Sequence, residues 1–146
     1  MSFTDDFARA AEAVGRATST FLSGNAEPFK ACWSQGPDVT IFGGWGAYER
    51  GWDQVSARLD WAAARFVDGQ HDQEVLTMDC GGEVGWTVCL ERGEVRVIGQ
   101  GVTAPIVLRV THVYRREDAQ WWVVHRHADP ATGKTAPTAV LSNPTS

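Results

Sequence analysis

Residues 108–130 read LRVTHVYRREDAQWWVVHRHADP. Two runs in which apolar and polar residues alternate flank Glu117-Asp118-Ala119, the pattern of an antiparallel hairpin. A two-residue Asp118-Ala119 turn sets the register: Glu117 opposes Gln120, His112 opposes His125, and Thr111 opposes Arg126. Directly opposed residues project to one face. One face is thereby expected to carry Leu108, Val110, His112 and Tyr114 with Trp121, Val123, His125 and His127. The other is expected to carry Arg109, Thr111, Val113 and Arg115 with Trp122, Val124, Arg126 and Ala128. A slip of one residue would exchange the faces.

Upstream of the hairpin the period of two continues, with strands expected at 71–79, 83–92, 94–100, 105–116 and 120–128. Gly81-Gly82 marks a second hairpin turn, and Gly99, Gly101 and Pro105 break or bend the middle of the sheet. Before residue 70 the period is helical. Thr4 to about Leu22 is an amphipathic helix, with Phe7, Ala10, Ala11, Val14, Ala17, Thr18 and Phe21 on one side and Thr4, Asp5 and Asp6 at its start. A short helix is expected around Glu27 to Trp33, with Pro28 in its first turn. A short strand, Val39 to Phe42, leads into the loop Gly43-Gly44-Trp45-Gly46. The third helix runs from Trp52 to Phe66, with Trp52, Val55, Leu59, Ala62 and Phe66 in one stripe. Helices followed by an antiparallel sheet give an α+β domain. Residues 1–130 are read as one domain and 131–146 as a polar tail with little structure.

Bulk composition narrows the partners. The 146 residues are 43% hydrophobic and 21% charged, with net charge −5. The basic residues are scattered apart from Arg115-Arg116, which argues against a nucleic-acid partner. Three cysteines without a C-x-x-C spacing fit a reducing, cytoplasmic setting rather than a disulfide framework. No stretch approaches a membrane span, and no membrane partner is expected. Seven tryptophans suit both a core and the walls of a pocket for apolar ligands.

Three sets of residues can carry chemistry. His112, His125 and His127, gathered on one face, form a feasible zinc or iron layout to which Asp129 could add a carboxylate. The competing reading is imidazoles that hydrogen-bond across the sheet or at an interface. No second cluster of ligands lies nearby in sequence, so no metal or other cofactor is expected. Arg109 and Arg126, with Thr111 between them, form the second set. A buried arginine requires a partner, either a buried carboxylate or a ligand's carboxylate or carbonyl. The third set is Trp45 in its glycine loop and Trp86, which alternates with Val88 and Leu90; each is a pocket-wall candidate as well as an ordinary turn or core residue. The glycine loops lack the patterns that bind phosphate or dinucleotides. Asp38, Glu49 and Glu91 are read as solvated surface charges.

Three helices before a bent sheet, the segment Val39-Thr40-Ile41-Phe42 through Gly51, and the hairpin of residues 108–130 together resemble the nuclear transport factor 2-like (NTF2-like) superfamily. That group includes ketosteroid isomerases and SnoaL-like proteins. Order and length agree over residues 4–130. The resemblance implies an α+β, cystatin-like cone: three N-terminal helices close over the concave face of a strongly bent antiparallel sheet and leave a mostly apolar cavity. It implies that Arg109, Thr111 and Arg126 point inward with Trp86, Val88, Leu90, Trp122 and Val124. Phe42, Trp45 and Leu59 complete the expected ligand-binding set. It also implies a homodimer through the outer sheet face, where the histidines would lie. By the resemblance, Phe42 stands where the isomerases carry their general-base aspartate, and Arg109 and Thr111 stand where the superfamily's limonene epoxide hydrolases carry an Arg–Asp pair facing the cavity, so no catalytic residue is assigned. The expected ligand is small and apolar with an anionic or carbonyl group. The chain is then either an isomerase-, cyclase- or hydrolase-type enzyme or a non-catalytic ligand-binding or association domain. A cavity carboxylate or histidine with a shifted pKa, within reach of Arg109, would mark the enzyme. A cavity titratable only through arginine would mark the binder.

Overall fold

The computed structural model describes residues 3–142. The side chains of residues 1–4, Thr4 of the expected helix start among them, and residues 143–146 of the expected tail lie outside the described residues. The elements are α1 (Phe3–Phe21), α2 (Glu27–Lys30), β1 (Thr40–Phe42), β2 (Glu49–Arg50), α3 (Trp52–Ala63), β3 (Phe66–Gly81), β4 (Val84–Val97), β5 (Ala104–Glu117) and β6 (Gln120–Pro130). A 3₁₀ turn, Pro137–Val140, follows, its side chains exposed. Among the described residues no helix is long and apolar enough to cross a membrane.

One sheet holds all six strands in the order β2-β1-β6-β5-β4-β3. β1 runs parallel to β6, and the other neighbours are antiparallel. The helices pack on one face, the α+β arrangement the sequence predicts. Their apolar stripes supply Phe7, Val14 and Ala17 from α1 and Val55 and Leu59 from α3 to a core shared with Trp33, Tyr114 and Val123. The Phe7 ring meets Tyr114 edge-on at 5.0 Å and Trp121 at 5.1 Å. Gly85 makes this possible, because a Cβ there would come within 2.6 Å of the Phe7 ring.

Four long strands stand where five short ones were expected after residue 70. Residues 83–92 and 94–100 are not separate strands: β4 runs through Gly93, which pairs with His71. A Cβ at Gly93 would overlap the Gln70 carbonyl, so this glycine permits a close backbone approach rather than a break. The third helix also ends before Phe66, which is the first residue of β3.

The closing hairpin carries the main correction. Glu117 pairs with Gln120, and both turn residues have positive φ (Asp118 52°, Ala119 64°), the geometry of a type I′ turn. The expected register holds from the turn to Val123, opposite Tyr114. The next pair is then His125 with Val113, so Val124 is an extra residue, a β-bulge. Every later residue of β6 moves by one. Arg126 opposes His112 rather than Thr111, and His127 opposes Thr111. The helix-covered face therefore carries Val110, His112 and Tyr114 with Val123, Arg126 and Ala128.

Candidate functional site

The helix-covered face does not fill its volume. A cavity of about 660 Å³ remains toward one end of the sheet, within the size range of small-molecule sites. Phe21 of α1 and the following Leu22, Phe29 of α2 and Leu59 and Ala62 of α3 close it from the helix side. Ile106, Leu108 and Ala128 line it from the sheet. Trp45 reaches it from the glycine loop, stacked on Phe66 at 5.4 Å and edge-on to Trp61 at 5.3 Å. The lining is mostly apolar; Arg126, Glu91 and His71 are among its polar residues, with Thr18, Arg58 and Gln100 also in the lining.

Arg126 is where the bulge acts on chemistry. Turned under the helices, its guanidinium grips the Glu91 carboxylate with two parallel bonds, Nη1 to Oε2 and Nη2 to Oε1, each 2.9 Å. Glu91 is 3% exposed. Burial alone would push its carboxyl up, but the charge and hydrogen bonds of Arg126 outweigh that and hold it at about 2. The same Nη1 lies 3.1 Å from His112 Nε2. Arginine only donates, so Nε2 accepts and the imidazole is the neutral Nδ1–H tautomer. Burial first, and the Arg126 charge second, push His112 down to about 3. The guanidinium also sits 5.6 Å from the centre of the Phe29 ring.

His71, on β3, is the remaining titratable group of this floor. Its backbone carbonyl accepts a hydrogen bond from Ser19 Oγ at 3.3 Å. Its Nε2 is buried with no hydrogen-bond partner among the described residues. Burial lowers its pKa, outweighing the attraction of Glu91 for the protonated ring. The shift favours the neutral imidazole, and among the described residues no group engages Nε2.

Of the expected ligand-binding residues, the cavity collects Arg126, Trp45 and Leu59. Trp86, Val88, Leu90, Arg109, Thr111 and Trp122 stand on the opposite, uncovered face, because β5 presents its even-numbered residues to the helices. Arg109 is exposed there and paired with Asp129 at 2.7 and 2.9 Å. Phe42 also faces outward, 41% exposed, its ring 5.1 Å from that of His125 and 5.3 Å from that of His127. The three-histidine metal layout fails for the same reason: His112 lies under the helices, while His125 and His127 lie on the open face. His125 Nδ1 is held instead by Thr40 Oγ1 at 2.7 Å. Among the described residues no group of three or more His, Cys, Asp or Glu is placed to hold a metal ion.

Two floor residues escaped sequence reasoning. Glu91 looks like a surface charge, yet it shares parity with buried Thr87 and Cys89, a signal of the helix-covered face. His71 lies near the start of an expected strand and carries no local signature.

The comparisons with known proteins agree with this architecture. Residues 10–132 match the SnoaL-like domain family. A nuclear transport factor 2-like superfamily protein from Salmonella enterica serovar Typhimurium superposes with a TM-score of 0.80 at 14% identity, covering 93% of this chain and 98% of its own. A ketosteroid isomerase-like protein from Erwinia carotovora gives 0.72 at 14% identity, with coverages of 88% and 96%. A protein with a cystatin-like fold from Caulobacter vibrioides gives 0.66 at 17% identity, with coverages of 88% and 89%. No curated protein matches the sequence. The match over residues 10–132 places this chain in the SnoaL-like domain family, with the fold of the nuclear transport factor 2-like structures.

Proposed function

We propose that the cavity binds a small, largely apolar, uncharged molecule carrying a carbonyl or hydroxyl oxygen, and that the chain moves a proton on it with His71 as the acid–base group. The observation that carries this is a half-buried imidazole, its pKa lowered by burial, whose buried Nε2 has no hydrogen-bond partner among the described residues, on the floor of an apolar cavity. Sequence reasoning set a cavity histidine with a shifted pKa as the mark of an enzyme. It lines the cavity together with Arg126, whereas Arg109 stands on the open face.

The Arg126–Glu91 pair narrows the ligand. Both terminal nitrogens of Arg126 are committed to Glu91, and Arg58, the other arginine of the lining, pairs with Glu49 at 3.5 Å, so among the described residues the cavity offers a carboxylate or phosphate no unpaired cation. An anionic head would lose its hydration without a compensating charge there. A neutral oxygen does not meet that cost. Proton transfer next to such an oxygen is isomerase-type chemistry, and the ketosteroid isomerase-like neighbour is compatible with it.

The test uses 2-decalone and the matching decahydronaphthalene carboxylate. The ketone should raise the melting temperature and the carboxylate should not. In D₂O the wild-type protein should accelerate exchange of the protons next to the ketone, and His71→Gln should lose about 100-fold or more of that rate while still binding. Equal exchange rates in the two proteins would refute the role of His71. Binding without accelerated exchange in the wild type would favour the non-catalytic reading.

We also propose that two copies pair through the open sheet face. Val84, Trp86 and Phe42 lie exposed there, and exposed apolar residues of this size commonly mark an interaction surface.

A further inference from the structure

A second concavity, a groove of about 490 Å³, lies between α1 and β3. Its walls include Glu12 and Arg16 of α1 and Asp72 and Gln73 of β3. One residue belongs to both concavities, His71. The wall between them is thin and polar at one place, and two of its atoms are of a kind that close-packed interiors seldom leave alone. His71 Nε2 and Gln73 Oε1 are each buried with no protein hydrogen-bond partner among the described residues. A buried polar atom without a partner costs about 1–3 kcal/mol, and water is the small molecule that serves such atoms inside proteins. Gly15 of α1 leaves the room: a Cβ there would lie 3.2 Å from Gln73 Oε1.

We infer that the groove between α1 and β3 is a water passage to the back of the cavity, with His71 as the group joining the two and Gln73 as the polar side chain along the route. Its use in turnover rests on the acid–base reading of His71: a base that has taken a proton from a ligand filling the cavity must return it, and this passage lets it exchange with solvent while the ligand stays bound. The existence of the passage does not depend on turnover.

The experiment therefore reads water access alone. Deuterium uptake at the imidazole Cε1–H, followed by mass spectrometry over days, reports solvent access to each histidine of the native protein. Two variants close the groove. Gly15→Leu places a side chain in it while raising the helix propensity of α1. Gln73→Met fills it from β3 and removes Oε1. A third, Ala62→Phe, narrows the cavity instead. The expected result is uptake at His71 slowed about threefold or more in each groove variant that keeps the wild-type melting temperature within a few degrees, with less than twofold change in Ala62→Phe. His127, exposed on the open face, is the internal control and should not change. Unaltered uptake at His71 in both groove variants, or slowing in Ala62→Phe alone, would overturn the passage. Slowed uptake in a chain that accelerates no proton exchange on ketones would leave the passage standing and remove its catalytic use.

Discussion

Removing either partner of the Arg126–Glu91 pair should be among the most damaging single changes available in the sheet. The carboxylate is 3% exposed and accepts two bonds of 2.9 Å from one guanidinium. Hydrogen bonds to charged groups are worth about 1.5–3 kcal/mol each, but the larger effect of a single substitution is the charge left behind. Glu91→Gln strands the Arg126 cation beneath Phe29, and Arg126→Met strands the Glu91 anion. Each should cost about 3–5 kcal/mol, the range for breaking a buried pair. The double variant removes both charges together and leaves a site of similar volume. Its loss should be no larger than that of one single variant, giving a coupling energy of about 3 kcal/mol or more. Urea titrations of the four proteins at pH 7, followed by far-ultraviolet circular dichroism, supply the cycle. Additive losses below about 1 kcal/mol per variant would mean that Arg126 projects from the open face as an exposed residue. The inward register of β6 would then be wrong, and the cavity floor with it.

Acid should weaken the fold in two stages. His112 has its pKa pushed from 6.5 to about 3, so the unfolded chain binds the proton first; stability is complete above pH 6.5 and falls by about 3 kcal/mol between pH 6.5 and 4.5 at 1.36 kcal/mol per unit. Glu91, lowered from 4.5 to about 2, adds a second decline below pH 4.5, and a His112→Gln protein whose urea midpoints fall as steeply as wild type between pH 6.5 and 4.5 would exclude the first stage. Ala119 holds φ at 64°, which costs a residue with a Cβ about 1 kcal/mol or more; Ala119→Gly should raise the melting temperature by about 2–4 °C, and a fall would argue against the type I′ turn. Trp86→Glu places a charge on the proposed pairing face and should shift the sedimentation coefficient from dimer to monomer without changing the circular dichroism, whereas a monomeric wild type would end the dimer proposal.

Much of the fold was legible because it rests on periodicity. The stripes of α1 and α3 are spaced for burial against one partner, and Val55 and Leu59 are buried as that spacing requires. The Asp118-Ala119 turn was readable from its length, although neither residue is glycine. Gly93 was less readable. A glycine inside a strand signals either a break or a close approach, and only the carbonyl of Gln70 on the neighbouring strand distinguishes them. Nothing within residues 83–100 reports that partner.

The cavity was legible in Trp45, Leu59 and Arg126, but its polar floor was legible in Arg126 alone, and Val124 is the reason. Strict alternation allows His112 and Arg126 to share a face only if an extra residue intervenes between the turn and Arg126. Nothing in Trp122-Val123-Val124-His125 announces which residue is surplus, since each suits a strand. Energetics supplies the missing criterion. Without the bulge, the helix-covered face would hold His125 and His127, while Glu91 would stay buried there with no cation in reach, at a cost of several kcal/mol. With it, one residue falls out of the ladder and the carboxylate gains its guanidinium. An unpaired ladder position costs about the net worth of one backbone hydrogen bond, roughly 1 kcal/mol, well below the cost of the stranded carboxylate. Glu91 on β4 therefore selects the register of β6, and an acidic residue of buried parity on one strand is a reason to test a bulge on another strand that carries arginine.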